Sequence, residues 1–265
     1  MNNEISRLAM EAIEAYKKGG LQSFSAKTSK YLSSRVNSAL LFNPYVPPIS
    51  ISHKCSSFPI GYRDKYIYCR APPKVVPEPT DTVVEAGVHH GHDTAMFGKL
   101  ADQVIGFEPS PRNYKSAEKN LRRFSNITLI NAGLWNETGE MEIQYGNGTG
   151  DDGFLDPDSK GEEVNITVPV TTIKDYVQEE SLSEINFLKI EAEGAEPEII
   201  DGIGDLRPEK IVVNADEERD GKSPGREIMN RLQSEGYNLV AMTLGCVLFF
   251  VLDTEYHYAF RKESI

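Results

Sequence analysis

The sequence after Thr80 alternates short apolar runs with helical patterns, which restricts the folds open to the chain. The five predicted core strands are TVVEAG (82–87), QVIGFEP (103–109), NITLINAGLW (126–135), INFLKIEAEG (185–194) and EKIVVNADEE (209–218). Two more predicted strands, MEIQY (141–145) and VNITVPV (164–170), flank a polar, glycine-rich loop. Strands that alternate with helices are typical of a largely parallel sheet with helices on both faces.

The last two apolar runs, NLVAMTL and CVLFFVLD, lie between residues 238 and 253. No helix fits between them, so these two strands must be antiparallel. We therefore predict a doubly wound α/β fold with a mostly parallel sheet and a C-terminal antiparallel hairpin at its edge.

Residues 1–80 differ from the rest of the chain. A helical pattern over residues 4–18 precedes irregular sequence with proline-rich stretches such as NPYVPPIS and APPKVVPEPT. We expect an N-terminal helical and irregular extension over 1–80 and a main domain over 81–265. The extension is expected to pack on the main domain, or to contribute to a substrate lid or a dimer contact.

Charge and cysteine content limit the partners and the compartment. The chain has 40 acidic and 28 basic residues, and its net charge of −12 repels the phosphate backbones of DNA and RNA. Three cysteines without a CxxC pair fit a reducing compartment. The N-terminal stretch lacks the apolar core of a signal peptide, and the longest apolar run, 239–252, is too short to cross a bilayer. We expect a cytoplasmic protein without a nucleic-acid partner or membrane span, and a homodimer is left open.

VVEAGVHHGHDT (83–94) contains the first strand-to-helix loop, which borders the ligand site in an open α/β sheet. Gly87 and Gly91 permit close backbone approach to a ligand and a tight turn into the next helix. The loop lacks the G-x-G-x-x-G pattern of dinucleotide binding. Glu85 before the glycines, with Asp93 and Thr94 at the helix start, completes a form used to bind S-adenosylmethionine.

The second predicted strand ends in GFEP, which places Glu108 at the same edge of the sheet. A carboxylate at this position can accept hydrogen bonds from the ribose hydroxyls of NAD or S-adenosylmethionine. Pro109 breaks the strand and can wall an adenine pocket. The alternative is a solvated glutamate ahead of a helix N-terminus.

Three stretches together resemble the FkbM family of S-adenosylmethionine-dependent methyltransferases: DTVVEAGVHHGHDT, VIGFEPSPRN and INFLKIEAEGAEPEIIDG. The corresponding family stretches are approximately D-x-G-A-N-x-G-x-x-T, F-E-P-x-P-x-N and K-I-D-V-E-G-A-E. The resemblance covers about residues 80–255. It implies a class I methyltransferase fold, S-adenosylmethionine as cofactor, and O-methylation of a sugar, a glycan or another small molecule.

The resemblance also implies positions for the cofactor. Glu85, Gly87 and Gly91 would line its methionine side, Glu108 would bind its ribose, and the Asn131–Ala132 pair would lie near the adenine. Two acids and one loop dipeptide depart from the family pattern, because Glu85 and Glu191 replace aspartates and Val88-His89 replaces Ala-Asn. The full expected cofactor-binding set is Glu85, Gly87, Val88, His89, Gly91, Thr94, Glu108, Pro109, Asn131, Ala132 and Glu191.

Glu191 and Glu193 are candidate catalytic residues, because they end the strand that faces the transferable methyl in this fold. Either could orient the acceptor or take its hydroxyl proton. His89 is the third candidate, since an imidazole suits proton transfer near neutral pH. In the alternative reading, Glu193 and Glu196 only cap the following helix.

Two groups of residues could in principle bind a metal, and we predict that neither does. His89, His90 and His92 share one tight loop and cannot easily converge on one zinc ion. Asp216, Glu217 and Glu218 could join Glu191 around a magnesium-type ion, but acidic loop residues in an acidic protein are more often solvated.

The sequence therefore favours an O-methyltransferase over two alternatives. One is an NAD-binding oxidoreductase, against which the missing glycine pattern counts. The other is a homologue that binds the cofactor without catalysis, or that methylates protein or RNA.

Overall fold

The structure is a computed structural model, and it describes Pro44 and residues 75–145, 164–215, 223–242 and 247–252. The predicted N-terminal extension lies almost entirely outside these residues, so the division at residue 80 stays a prediction. Within the described ranges, no helix is long and apolar enough to cross a membrane.

The main sheet has seven strands: β1 (Thr82–Ala86), β2 (Gln103–Phe107), β3 (Ile127–Ile130), β7 (Phe187–Ile190), β8 (Lys210–Asn214), β9 (Tyr237–Met242) and β10 (Val247–Leu252). Their order across the sheet is β3-β2-β1-β7-β8-β10-β9. The first strand pairs in parallel with both β2 and β7. The direction of strand order changes at β1, so the carboxyl ends of β1 and β7 border the crevice where ligands bind in such sheets.

Helices cover both faces of this sheet. They are α1 (His92–Leu100), α2 (Pro111–Leu121), α3 (Ile173–Glu179), α4 (Glu196–Asp201) and α5 (Gly225–Ser234). Alternate residues of β1 enter separate cores, because Val84 and Ala86 pack in one apolar cluster and Val83 in the other. The predicted doubly wound α/β fold is confirmed.

The C-terminal antiparallel hairpin is confirmed at the edge of the sheet, where its second strand, β10, lies inside its first strand, β9. β10 is antiparallel to both of its neighbours, β8 and β9. It therefore lies inside the sheet, and β9 forms the edge in the same direction as the parallel strands. The apolar residues of β10 explain this, since four consecutive ones (247–250) are buried and require cover on both faces.

The predicted third strand, 126–135, is wrong as a single element. It divides into β3 and a two-residue strand, β4 (Gly133–Leu134), which turns away into a second sheet. There β4 pairs with β6 (Val164–Thr171), and β6 pairs antiparallel with β5 (Gly139–Tyr145). The strands predicted around the polar loop are thus confirmed as β5 and β6, but α3 was not predicted.

Candidate active site

Two glycines shape the loop after β1, and both have left-handed backbone. Gly87 has φ 83°, and a Cβ there would lie 1.8 Å from the carbonyl oxygen of Glu191. Gly91 has φ 81° and precedes α1, where a Cβ would meet the side chain of Leu121 at 2.7 Å. The close approach that the sequence suggested at Gly87 is therefore made by the protein's own β7 end, which brings the two halves of the crevice into contact.

Glu108 ties the ends of β1 and β2 together. Its Oε2 accepts a hydrogen bond from the backbone N–H of His89 at 2.6 Å, and its Oε1 accepts one from Ser110 N–H at 3.0 Å. The side-chain amide of Asn131, just after β3, donates to the carbonyl oxygens of Glu108 at 2.8 Å and Pro109 at 3.2 Å. These bonds hold three predicted cofactor-binding stretches at one edge of the sheet.

Lys189 lies at the centre of the acidic side of the site and is 2% exposed. Its Nζ donates to Glu85 Oε1 at 3.0 Å and to the Gly87 carbonyl oxygen at 3.0 Å. It also pairs with Glu191 Oε2 at 2.9 Å and lies 4.0 Å from Asp93 Oδ2. One ammonium thus joins β1, the glycine loop and the end of β7.

Burial and charge oppose each other in this cluster. Burial acts to lower the pKa of Lys189, but the carboxylates of Glu191 and Glu85 outweigh it and raise the pKa above its usual value. Burial raises the pKa of Glu85, and the Lys189 ammonium opposes that rise. Lys189 therefore stays charged at neutral pH.

The loop after β7 is held by Glu196, which is 1% exposed. Its Oε1 accepts hydrogen bonds from the backbone N–H groups of Ala192 at 2.9 Å and Gly194 at 3.2 Å. Between these donors, Glu193 adopts left-handed backbone with φ 50°. Glu196 begins α4, so its carboxylate organises the turn that carries Glu193, and burial raises its pKa to about 7.

The predicted site residues differ in exposure. His89 is exposed, while five are partly exposed: Glu191, Glu193, Gly87, Pro109 and Asn131. The others are buried: Glu85, Val88, Gly91, Thr94, Glu108 and Ala132. The Val88 side chain packs into the core against Gly106, so any contact of Val88 with a ligand is made by its backbone.

The histidine rings of the loop lie next to one another, His90 with its face near His89 and in an edge contact with His92. The rings of His89 and His90 are 3.8 Å apart between centroids, and those of His90 and His92 are 6.3 Å apart. Burial, together with Arg112, lowers the pKa of His90. Among the described residues, no group of three or more His, Cys, Asp or Glu side chains could hold a metal ion. Asp216, Glu217 and Glu218 lie outside those residues.

Three residues of this region were not predicted as cofactor or catalytic residues: Lys189, Glu196 and Asn214. The Nδ2 of Asn214 lies 3.4 Å from Glu191 Oε1. A lysine within the apolar run NFLKI was a usable signal, because a parallel strand buried on both faces accepts a charge only beside a partner. Glu196 and Asn214 had no comparable signal.

The residues that build this site lie in a stretch that matches a known protein family. The stretch 76–239, more than half of the chain, matches the methyltransferase FkbM domain. The chain belongs to the FkbM methyltransferase family. Its fold is accordingly the predicted class I methyltransferase fold, and the family identifies it as a methyltransferase enzyme.

Two relatives of this FkbM protein are similar over most of their length. The chain is 24% identical over 216 residues to 2-O-methyltransferase NoeI of Sinorhizobium fredii, covering 73% of this chain and 88% of the relative. It is 24% identical over 191 residues to Methyltransferase 1 of Beauveria bassiana, covering 62% and 75%.

Solved structures include two methyltransferases with partial similarity. Methyltransferase FkbM from Methylobacillus flagellatus KT is 19% identical with a TM-score of 0.47, over 65% of this chain and 44% of that one. An O-methyltransferase from Bacillus cereus in complex with SAH is 14% identical with a TM-score of 0.41, over 66% and 75%.

Proposed function

We propose that this FkbM protein transfers a methyl group from S-adenosylmethionine to a hydroxyl of a sugar, a glycan or another small molecule. The observation that carries the proposal is the position of Glu108 and Glu191. These two acids lie at the carboxyl ends of β2 and β7, on either side of β1, where this class of sheet binds its ligand.

The chemistry of the side chains fits the cofactor. Each oxygen of Glu108 accepts one backbone N–H, which fixes the carboxylate at the end of β2, and a carboxylate at this position suits the ribose hydroxyls as their acceptor. Glu191 has a side chain 38% exposed and suits the ligand's ammonium group. Asn131 and Pro109 would border the adenine. Glu85 and Thr94, both fully buried, would support the site from below rather than touch the ligand.

When bound, the cofactor supplies an electrophilic methyl group on a sulfonium. The chain must then align the acceptor hydroxyl with that methyl, which accounts for much of the rate acceleration. A positioned base that takes the hydroxyl proton adds roughly 10²–10⁴-fold. We propose Glu193 and His89 as the residues that orient the acceptor or accept this proton, since both lie at the crevice and keep exposed surface, while Glu191, paired with Lys189, is assigned to the cofactor.

The choice of oxygen as acceptor is supported by the name of the relative NoeI, a 2-O-methyltransferase. A small acceptor also agrees with the net charge of −12, which disfavours nucleic acids. We place the reaction in the cytoplasm, because three cysteines without a CxxC pair fit a reducing compartment. We further propose that residues 1–80 form an extension that contributes to the acceptor pocket or to a homodimer contact.

The binding step is tested by calorimetry with S-adenosylhomocysteine and, as comparison, NAD. We expect S-adenosylhomocysteine to bind and NAD not to bind. Glu108→Gln should weaken the binding of S-adenosylhomocysteine by roughly tenfold or more, because a hydrogen bond to a charged group is lost. Glu118→Gln, an exposed acid on α2, is the matched control and should bind as the wild type does.

The transfer step is tested with methyl-labelled S-adenosylmethionine and fractionated cell extract. Label in a glycan or low-mass fraction, assigned to an O-methyl carbon by NMR, is the expected result. Binding without any labelled product would instead favour a non-catalytic homologue. Absence of both binding and product would refute the proposal.

A further inference from the structure

Lys189 is placed so that it cannot itself contact a ligand. An ammonium has three N–H donors. Glu85 Oε1, the Gly87 carbonyl oxygen and Glu191 Oε2 lie 2.9–3.0 Å from Nζ and take up all three. With 2% exposure, Lys189 acts only through these partners.

The partners of Lys189 are not equivalent. Glu85 is 1% exposed and Asp93 8%, so both are much less accessible than Glu191. The side chain of Glu191 is 38% exposed, and its second oxygen faces Asn214 Nδ2 at 3.4 Å. Lys189 therefore holds one oxygen of Glu191 in a fixed position and leaves the rest of that carboxylate at the surface of the crevice.

The charges in this cluster do not balance. Two carboxylates, those of Glu85 and Glu191, share one ammonium at 3.0 and 2.9 Å, which leaves an excess of negative charge. Since Glu191 is the more exposed of these carboxylates, the excess negative charge faces the crevice at Glu191. Such a surface attracts a cationic group, and an ordered carboxylate loses less side-chain freedom when it binds one.

We propose that Lys189 is a positioning residue that orients Glu191 toward the ammonium of the ligand's amino-acid group. It thereby makes the site prefer adenosyl thioethers that carry an amino acid over those that lack it. This inference rests on the proposed function, because it assigns Glu191 to the methionine side of S-adenosylmethionine.

The test compares two thioethers that share adenosine and sulfur. S-adenosylhomocysteine carries the amino-acid group and 5′-methylthioadenosine lacks it, so the ratio of their Kd values reports recognition of that group alone. The full-length wild type should prefer S-adenosylhomocysteine. Lys189→Met should reduce this preference by roughly tenfold or more, as expected for loss of one oriented charged contact.

Lys210 provides a matched control at the opposite end of the sheet. It is also a buried lysine, paired with Asp81 at 3.1 Å and Glu78 at 3.2 Å, but it begins β8. Lys210→Met should lower stability without changing the Kd ratio. A general loss of stability therefore cannot imitate the expected result.

Two further variants keep the test decisive. The double variant Lys189→Met/Glu85→Gln replaces the buried ion pair with neutral groups of similar size. If Lys189→Met alone unfolds, the Kd ratio is measured on this double variant instead. Glu191→Gln should reduce the preference as Lys189→Met does, and adding Lys189→Met to it should cause no further reduction.

The outcomes separate the two proposals. A wild type that binds neither ligand refutes the proposed function. A wild type that binds both ligands equally, or Lys189 variants with an unchanged or increased preference, overturns the role of Lys189 and leaves the methyltransferase proposal standing.

Discussion

His89 and Glu193 are non-glycine residues with left-handed backbone, at φ 53° and 50°. Such a conformation costs on the order of 1–3 kcal/mol and persists only where its surroundings enforce it. Glu108 enforces it at His89 by accepting that residue's N–H, and Glu196 does so at Glu193 by binding the N–H groups on either side. Both proposed catalytic residues are thus held by buried carboxylates.

Gly87 is the residue on which the contact between the two loops depends most. Gly87→Ala would place a Cβ 1.8 Å from the Glu191 carbonyl oxygen, at a φ that side chains rarely adopt. We expect the free energy of unfolding to fall by about 3 kcal/mol or more, measured by urea denaturation. Gly139→Ala is the control, since a Cβ there meets nothing within 4 Å. Equal losses in both variants would contradict this account.

At the scale of elements, α3 shows how a short helix is specified by its first residue. Thr172 precedes the helix, and its hydroxyl accepts the N–H of Asp175 at 2.8 Å. Thr-x-x-Asp is a capping pattern, so this helix start was readable from the sequence. The helix follows β6 directly and brings Ile173 and Val177 into the core that supports β1 and β7.

Removing this cap should weaken the domain by a predictable amount. We expect Thr172→Ala to lower the free energy of unfolding by about 1 kcal/mol, because a backbone N–H of the first turn loses its partner. Thr172→Ser keeps the hydroxyl and should recover most of that loss. If both variants lose the same stability in urea denaturation, packing of the threonine methyl group is responsible, and the capping account is wrong.

For the whole molecule, the alternation of strands and helices was sufficient to predict the sheet, because burial on both faces leaves continuous apolar runs such as FLKI and KIVVN. The positions of β10 and β4 were not predictable in the same way. The continuous apolar run of β10 fits a strand with a neighbour on each side, but apolar content does not identify β8 as that neighbour, nor β6 as the partner of β4.

The residues of the candidate site could likewise be predicted only in part from the sequence. Glu108 and Glu191 were found because each ends a predicted strand. Lys189 was missed, and Glu196 was considered only as a cap of the following helix, because the importance of both comes from contacts with Gly87 and with the 192–194 turn. Those contacts exist only after the chain has folded. Sequence therefore located the edge of the sheet that carries the site, and the structure located the groups that hold it in shape.

The stability of the whole domain should depend on pH through Glu196. Burial raises its pKa from 4.5 to about 7, so the folded protein retains this proton over a range in which the unfolded chain has lost it. The contribution of Glu196 to stability is therefore greatest below pH 4.5, falls as pH rises to about 7, and is constant above that.

Glu196→Gln isolates this effect, because an amide oxygen can still accept the N–H groups of Ala192 and Gly194 but does not titrate. Between pH 4.5 and 7 we expect the wild type to lose up to about 3 kcal/mol of unfolding free energy relative to the variant. Urea denaturation of both proteins at constant ionic strength measures the difference, and all other titrating groups cancel in it. Parallel pH profiles would mean that Glu196 ionises as readily in the folded protein as in the unfolded chain, so that the 192–194 turn is held by a carboxylate at every pH above 4.5.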